Sequence, residues 1–299
     1  MSRGARPSSL GPGDLIAAYY TLAGVDRHGV ARVPFPERVA AAAGAGFAGL
    51  GLQPSDYLRS KEAGLRDVDM KAMLDNQGVV LAEIDGAPWW PDPTISAGEF
   101  RDAQDTALRL GETFGARHLI APVPTIAGPR PALNQLADWF GQLCDRAESC
   151  GLLVALEFLP WSPITDAGGA WDVVREAGRS NGGITVDFWH HCVGSGDDDA
   201  LRAIPGERVN AVHFTDGVRN RELDLLAETT VGRRLPGEGE FPVDRVLRTL
   251  DEMGAQPPIT VELVSIAHRR LPVGELAQVV HDAVRAAVDR VRQSELPRG

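Results

Sequence analysis

The sequence predicts a single-domain α/β protein, a closed (β/α)8 barrel of the TIM type, on three observations. Short apolar runs with strand character alternate eight times with stretches of helical spacing. Strand followed by helix, repeated, implies a parallel sheet, and eight such units in 299 residues is the count for a closed barrel. Ionisable residues fall at the ends of the later runs, where a barrel of this kind carries its chemistry. An open doubly wound sheet is the rival. Its GxGxxG mark is missing after the first run, and "PGEGEF" lacks both the spacing and the place.

The opening "MSRGARPSSLGPGD" has charge but no apolar stretch, so residues 1–14 are expected to be a flexible leader, not a secretory signal, with the barrel over 15–295. The strand-like runs are "LIAAYYTL" (15–22), "FAGLGLQ" (47–53), "VVLAEID" (79–85), "RHLIAP" (117–122), "LLVALEF" (152–158), "GITVDF" (183–188), "VNAVHFTD" (209–216) and "PITVELV" (258–264). Helices are expected between and after them at 35–45, 67–77, 97–114, 131–150, 168–179, 198–203, 242–253 and 273–293. Gly46, Gly78, Gly115, Gly151 and Gly254 stand just past helix ends, where a left-handed residue closes the last turn.

With 43% hydrophobic and 24% charged residues, the chain has ordinary globular composition, and no apolar run reaches membrane-spanning length. Cys144, Cys150 and Cys192 make an odd count without a CxxC pair, which argues against a disulfide framework and for a reducing, cytoplasmic setting. Cys144 and Cys150 read as core. A net charge of −11 without a Lys/Arg stripe excludes a nucleic-acid binder of the usual kind. The expected partner is a small-molecule substrate, without nucleic acid or membrane; assembly into a homo-oligomer stays open.

The last four runs carry the chemistry. The fifth ends "VALEF" with Glu157, the sixth "ITVDFWHH" with Asp187, the seventh "NAVHFTD" with His213, and the eighth "ITVELV" with Glu262. A core rejects an unpaired carboxylate, and a plain loop has no need of Phe188 and Trp189. No Lys or Arg lies in these strand ends, so the converging carboxylates would repel one another unless a divalent cation neutralised them. Three oxygen ligands and one nitrogen suit Mn²⁺ or Mg²⁺ better than structural zinc, with Co²⁺, Fe²⁺ and Zn²⁺ also able to fit.

At these residues the chain resembles the xylose isomerase-like barrel superfamily, the sugar phosphate isomerase/epimerase group, over roughly residues 15 to 290. The pattern Glu, Asp-x-x-His, His and Glu reads as Glu157, Asp187-Phe-Trp-His190, His213 and Glu262. The resemblance is strong in the second half and weak in the first. It implies that Glu157, Asp187, His213 and Glu262 bind the metal. It implies that Glu157 and Glu262 also exchange a proton on either face of a substrate carbon. His190 and Arg219, three after the aspartate and six after the histidine, would contact substrate. His191 has no assigned role and reads equally as packed or exposed.

"RRLPGEGEF" (233–241) also looks like a family feature, with Glu238 turned toward the mouth. An ordinary turn made by Pro236 and Gly237 is the plain alternative. Arg233 and Arg234 read either as partners of an anionic substrate group or as solvated charges. Trp89, Trp90, Trp161 and Trp189 all follow predicted strands and should ring the mouth, with Trp89 and Trp161 as substrate contacts. Packing explains any one of them as well. Together they suggest a ring-bearing or apolar substrate face.

The expected function is a metal-dependent isomerase or epimerase of a hydroxy-carbonyl compound, working by proton abstraction to a metal-held enediolate. The alternative is a dehydratase of the 3-dehydroshikimate or inosose type, which shares the metal and base. A non-catalytic barrel subunit is the reading furthest from the intact four-residue set.

Overall fold

A computed structural model of the chain describes residues 10–25, 30–91, 93–124, 130–265 and 268–293. Most of the expected leader, residues 1–9, and the last two residues of the expected barrel, 294 and 295, lie outside the described residues. Seven strands pair in chain order: β1 (Leu15–Ala17), β2 (Gly49–Leu52), β3 (Val80–Asp85), β4 (His118–Pro122), β5 (Leu153–Glu157), β6 (Gly182–Asp187) and β7 (Val209–Phe214). A two-stranded antiparallel ribbon follows, β8 (Asp216–Gly217) with β9 (Arg233–Arg234). The last strand, β10 (Ile259–Val261), then pairs in parallel with both β7 and β1 and closes the barrel.

All eight predicted runs supply barrel strands. The first is shorter than expected: β1 stops at Ala17 and Tyr19–Ala23 is a helical turn. Thr21 holds that turn down, donating its hydroxyl to the Val261 carbonyl at 2.7 Å and accepting from the Leu263 N–H at 2.9 Å. An apolar run alone does not separate strand from buried helix. Helix Pro54–Glu62, opened by a proline that needs no intrahelical partner, was not visible in the periodicity. The helices over Phe35–Ala45, Asp67–Gln77, Ala97–Phe114 and Val273–Gln293 keep their predicted bounds. Ser96 and Glu99 form a reciprocal capping box on the third. The five predicted helix-ending glycines all take positive φ, between 65° and 92°.

The strand period places the site. Alternate residues point into the lumen. Ile120, Ala155 and Ala211 form a small apolar cluster of their own, separate from the large one shared by strands and helices. Two residues further along their strands stand Pro122, Glu157 and His213. Asp187 lies level with His213 in the register of β6 and β7. A packed layer therefore sits beneath a layer of ionisable groups at the C-terminal mouth. No helix of the described residues is long and apolar enough to cross a membrane. Cys144, Cys150 and Cys192 are free thiols; Cys144 is buried in the core and Cys150 only half-buried beside it.

Candidate metal centre and active site

The stretch "VDFWHH" is a strand turning into a helix. Asp187 ends β6 and caps helix Phe188–Val193, its Oδ1 accepting from the His190 N–H at 2.9 Å. One turn of helix brings His190 back above the strand end. Phe188 and Trp189 are fully buried, Phe188 against Phe214 and Trp189 against Phe241. The other oxygen, Asp187 Oδ2, faces the lumen.

There it joins a group brought in from three more strands. Ligand atoms of Glu157, Asp187, His213 and Glu262 lie within 4.8 Å of one another, and all four residues are buried. His213 Nδ1 is 3.5 Å from Glu157 Oε1, 3.6 Å from Glu262 Oε2 and 3.9 Å from Asp187 Oδ2. It has no hydrogen-bond partner although it is buried. Its other nitrogen, Nε2, lies 2.9 Å from Glu83 Oε2, and the same oxygen meets His118 Nε2 at 3.0 Å. A carboxylate behind a histidine fixes the ring and leaves the far nitrogen free for a metal. This donor set, with an orphaned inward nitrogen and three carboxylates, fits a divalent cation.

Burial works against ionised His213, but Glu83 and Glu262 outweigh it and hold the imidazole well above its ordinary pKa. Asp187 is held below the usual carboxylate range: burial raises it, and Arg233, His190 and His213 more than reverse that. His190 is pushed down, chiefly by burial. Asp85 is pushed well up by burial, then by Glu262 and Glu83.

A cation does reach these carboxylates, although none lies in the strand ends. Arg233, from β9, is buried and places Nη1 2.9 Å from Asp187 Oδ2 and 3.1 Å from Glu262 Oε2. Strand-end composition hid it, because the guanidinium arrives from a ribbon outside the barrel. The turn after it is built around Asp216. Its two oxygens accept from the N–H groups of Gly217, Gly237, Gly239 and Phe241 at 2.7–3.1 Å. A Cβ on Gly239 would lie 2.1 Å from Asp216 Oδ1, so the glycine is required.

A cavity of about 370 Å³ opens above the cluster. Glu157, His190, Trp161, Glu262 and Arg233 line one side; Tyr20, Gln53 and Asp85 line the other. Trp161 meets the His190 ring edge-on, with centroids 5.2 Å apart. The remaining expected contacts lie elsewhere. Arg219 is held by buried Glu228 at 3.0 Å and reaches the Val193 carbonyl, away from the cavity lining. Glu238 is half-exposed and faces His268 at 3.6 Å. Trp89 donates to the Pro122 carbonyl at 2.9 Å and, with Trp90 and Trp139, belongs to an aromatic cluster beside a different cavity. Trp189 lies beneath the ribbon. Of the four tryptophans expected at the mouth, Trp161 alone lines this cavity. His191 is packed, its Nε2 2.9 Å from Asp198 Oδ1.

The first half of the barrel supplies residues that the sequence reading passed over. Glu83 and Asp85 end β3 in "AEID", the same arrangement of an acid within an apolar strand end as in "ALEF". Only the absence of a matched partner in that half concealed them.

Comparison with known proteins identifies the family and agrees with the fold. The sequence profile of the family described as xylose isomerase-like TIM barrel matches residues 39–283. An inosose isomerase of Bacillus velezensis is 26% identical over 204 residues, 66% of this chain and 70% of that protein. A 3-dehydroshikimate dehydratase of Pseudomonas aeruginosa is 32% identical over 143 residues, 48% of this chain and only 22% of that protein. Among solved structures, the IolI protein with a bound zinc atom superposes with TM-score 0.79 at 18% identity, covering 93% of this chain and 99% of that one. The 3-keto-D-glucoside 4-epimerase YcjR of E. coli superposes with TM-score 0.66 at 17% identity, covering 92% and 98%. At such identities the structural likeness speaks for the fold.

Proposed function

The chain belongs to the xylose isomerase-like TIM barrel family, and on that footing we propose that it is a divalent-metal-dependent isomerase or epimerase of a cyclic or sugar-like hydroxy-carbonyl compound. The observation that carries this reading is the buried, unpartnered His213 Nδ1 faced by three carboxylate oxygens at 3.5–3.9 Å. Glu157, Asp187, His213 and Glu262 would hold the ion, Mn²⁺ or Mg²⁺ by donor type, though the zinc in IolI keeps Zn²⁺ in the comparison. When bound, the ion supplies polarisation of the substrate carbonyl, which acidifies the neighbouring C–H.

The protein's own groups do the rest. Glu157 and Glu262 come from the outermost of the four contributing strands, β5 and β10, and so flank the centre. One carboxylate would take the proton from the carbon beside the carbonyl, giving an enediolate; the other, carrying its own proton as a carboxylic acid, would deliver that proton to the opposite face, and exchange with solvent would reset the pair. His190, its pKa lowered chiefly by burial, turns Nε2 toward the same space, 3.8 Å from both Glu157 Oε1 and Asp187 Oδ2, and would hold a substrate hydroxyl. Trp161 offers an apolar face to a ring.

The 32% match to a dehydratase supports a second reading, elimination of a β-hydroxyl from the same enediolate. One experiment covers both. Ion-loaded protein is incubated with inososes, ketoses and 3-dehydroshikimate in deuterated water, and products are read by mass and NMR. Deuterium at the carbon beside the carbonyl with unchanged composition supports the isomerase reading. Loss of one water supports the dehydratase. Neither exchange nor turnover across the panel, in protein shown to carry the ion, contradicts the proposal.

A further inference from the structure

We infer that Arg233 is a resident counter-cation that competes with the divalent ion for its ligands and so keeps the ion weakly held and exchangeable. The inference rests on the reading of Glu157, Asp187, His213 and Glu262 as a cation site.

The choice of oxygen atoms carries it. Asp187 uses Oδ1 to cap its helix, which leaves Oδ2 as the oxygen facing His213 Nδ1. Arg233 Nη1 grips Oδ2, at 2.9 Å. At Glu262 it is again the oxygen facing His213, Oε2, that lies 3.1 Å from Nη1. An arginine that only braced the ligands from behind would hold the outer oxygens. This one sits on two of the atoms that an ion needs.

The placement is built into the fold. Pairing of Gly217 with Arg233 and of Asp216 with Arg234 sets the ribbon register, and strand alternation turns Arg233 inward. Arg234 instead donates to the Val231 carbonyl at 2.7 Å. Trp189 packs where a Cβ on Gly217 or Gly232 would stand, and the Arg233 guanidinium lies 5.9 Å from its ring centroid. The Asp216 carboxylate pins the far side of the loop through the backbone N–H groups of Gly237, Gly239 and Phe241.

Charge decides the direction of the effect. As a ligand set, three carboxylates and a neutral His213 imidazole beside one guanidinium would carry two negative units, which one divalent ion neutralises. If Arg233 stays when the ion enters, two cations share a low-dielectric site and repel. If it leaves, its contacts with Asp187 and Glu262 are lost. Either way the guanidinium weakens ion binding; removing it strengthens binding, by relieving repulsion in the first case and by raising the energy of the ion-free state in the second.

The test is calorimetric titration of Mn²⁺, and separately Zn²⁺, into metal-stripped wild type, Arg233→Gln and Arg233→Lys at one pH. Arg233→Gln should bind tighter, on the order of tenfold or more. Arg233→Lys, which keeps the charge, should stay close to wild type. If Arg233→Gln does not fold without the ion, the loaded protein is chased with excess chelator, and its ion should leave more slowly than from wild type. Equal or weaker binding in Arg233→Gln, or equally fast release, overturns the inference and leaves the cation site standing. Arg233→Lys binding as tightly as Arg233→Gln also overturns it, because charge would then not be the agent. If wild type and both variants bind neither ion, the cation reading of the four residues fails with it.

Discussion

The two halves of the barrel mouth differ in kind. The half made by β5, β6, β7 and β10 gathers three carboxylates, two histidines and a guanidinium around one point. The half made by β1, β2 and β3 presents Tyr20, Gln53 and Asp85, a wall that donates and accepts hydrogen bonds without dense charge. Tyr20 accepts from the Gln53 amide at 2.9 Å, and burial holds Asp85 toward its neutral form. On the proposed function, one half would hold a cation and move a proton, and the other would fit a substrate. Glu83 joins them, reaching from β3 to His213.

That contrast ranks the expected effects of mutation. The largest falls on Asp187. Asp187→Ala removes a helix cap, the partner of buried Arg233 and a proposed ion ligand together. Breaking a buried pair by deleting one member costs about 3–5 kcal/mol, so both metal content and the denaturation midpoint should fall sharply. Glu157→Gln should act on chemistry more than on binding. Solvent deuterium exchange should drop by about a hundredfold or more, while the metal content of the purified protein falls only in part. Exchange near the wild-type rate would move the base to Glu262.

Glu83→Gln tests the link between the halves. Loss of such a carboxylate behind a ligating histidine lowers metal affinity by about 10–100-fold, measurable by titration with a competing chelator. An unchanged affinity would mean that β3 only fills space.

The smallest effects belong to the substrate wall and beyond it. Asp85 is an acid whose folded pKa is raised, so the folded state retains a proton that the unfolded state loses. Its contribution to stability therefore falls as pH rises above the ordinary carboxylate range. Asp85→Asn should make the metal-free protein more stable than wild type at neutral pH, by an amount that vanishes in acid. Thermal midpoints across pH check this; a stabilisation that persisted undiminished in acid would contradict it. Trp89→Phe loses one hydrogen bond to Pro122, worth about 1 kcal/mol, and should leave KM unchanged because the ring lines a separate cavity.

The same division explains what the sequence revealed. Glu157, Asp187, His213 and Glu262 were legible because each is an ionisable residue inside or closing an apolar strand; register pairs Asp187 with His213 and leaves Glu157 and Glu262 two residues to either side, at the same mouth. Arg233 was not, since its place depends on a two-residue ribbon and a turn folded around Asp216. Arg219 shows the reverse failure. Its spacing from His213 matched the family pattern, yet buried Glu228 draws it away through a contact that no local pattern encodes. Trp89, Trp90 and Trp189 follow strands as expected, but whether an indole faces the mouth or the helix layer depends on tertiary packing.

The central claim is that these four side chains hold one divalent ion at the mouth of the barrel. Crystals grown with Mn²⁺ and measured at its absorption edge test this most directly. The account predicts one anomalous peak bounded by Glu157, Asp187, His213 Nδ1 and Glu262, at ordinary ligand distances of about 2.0–2.3 Å. Saturated crystals with no peak there, and with Arg233 still bonded to Asp187 and Glu262, would contradict it.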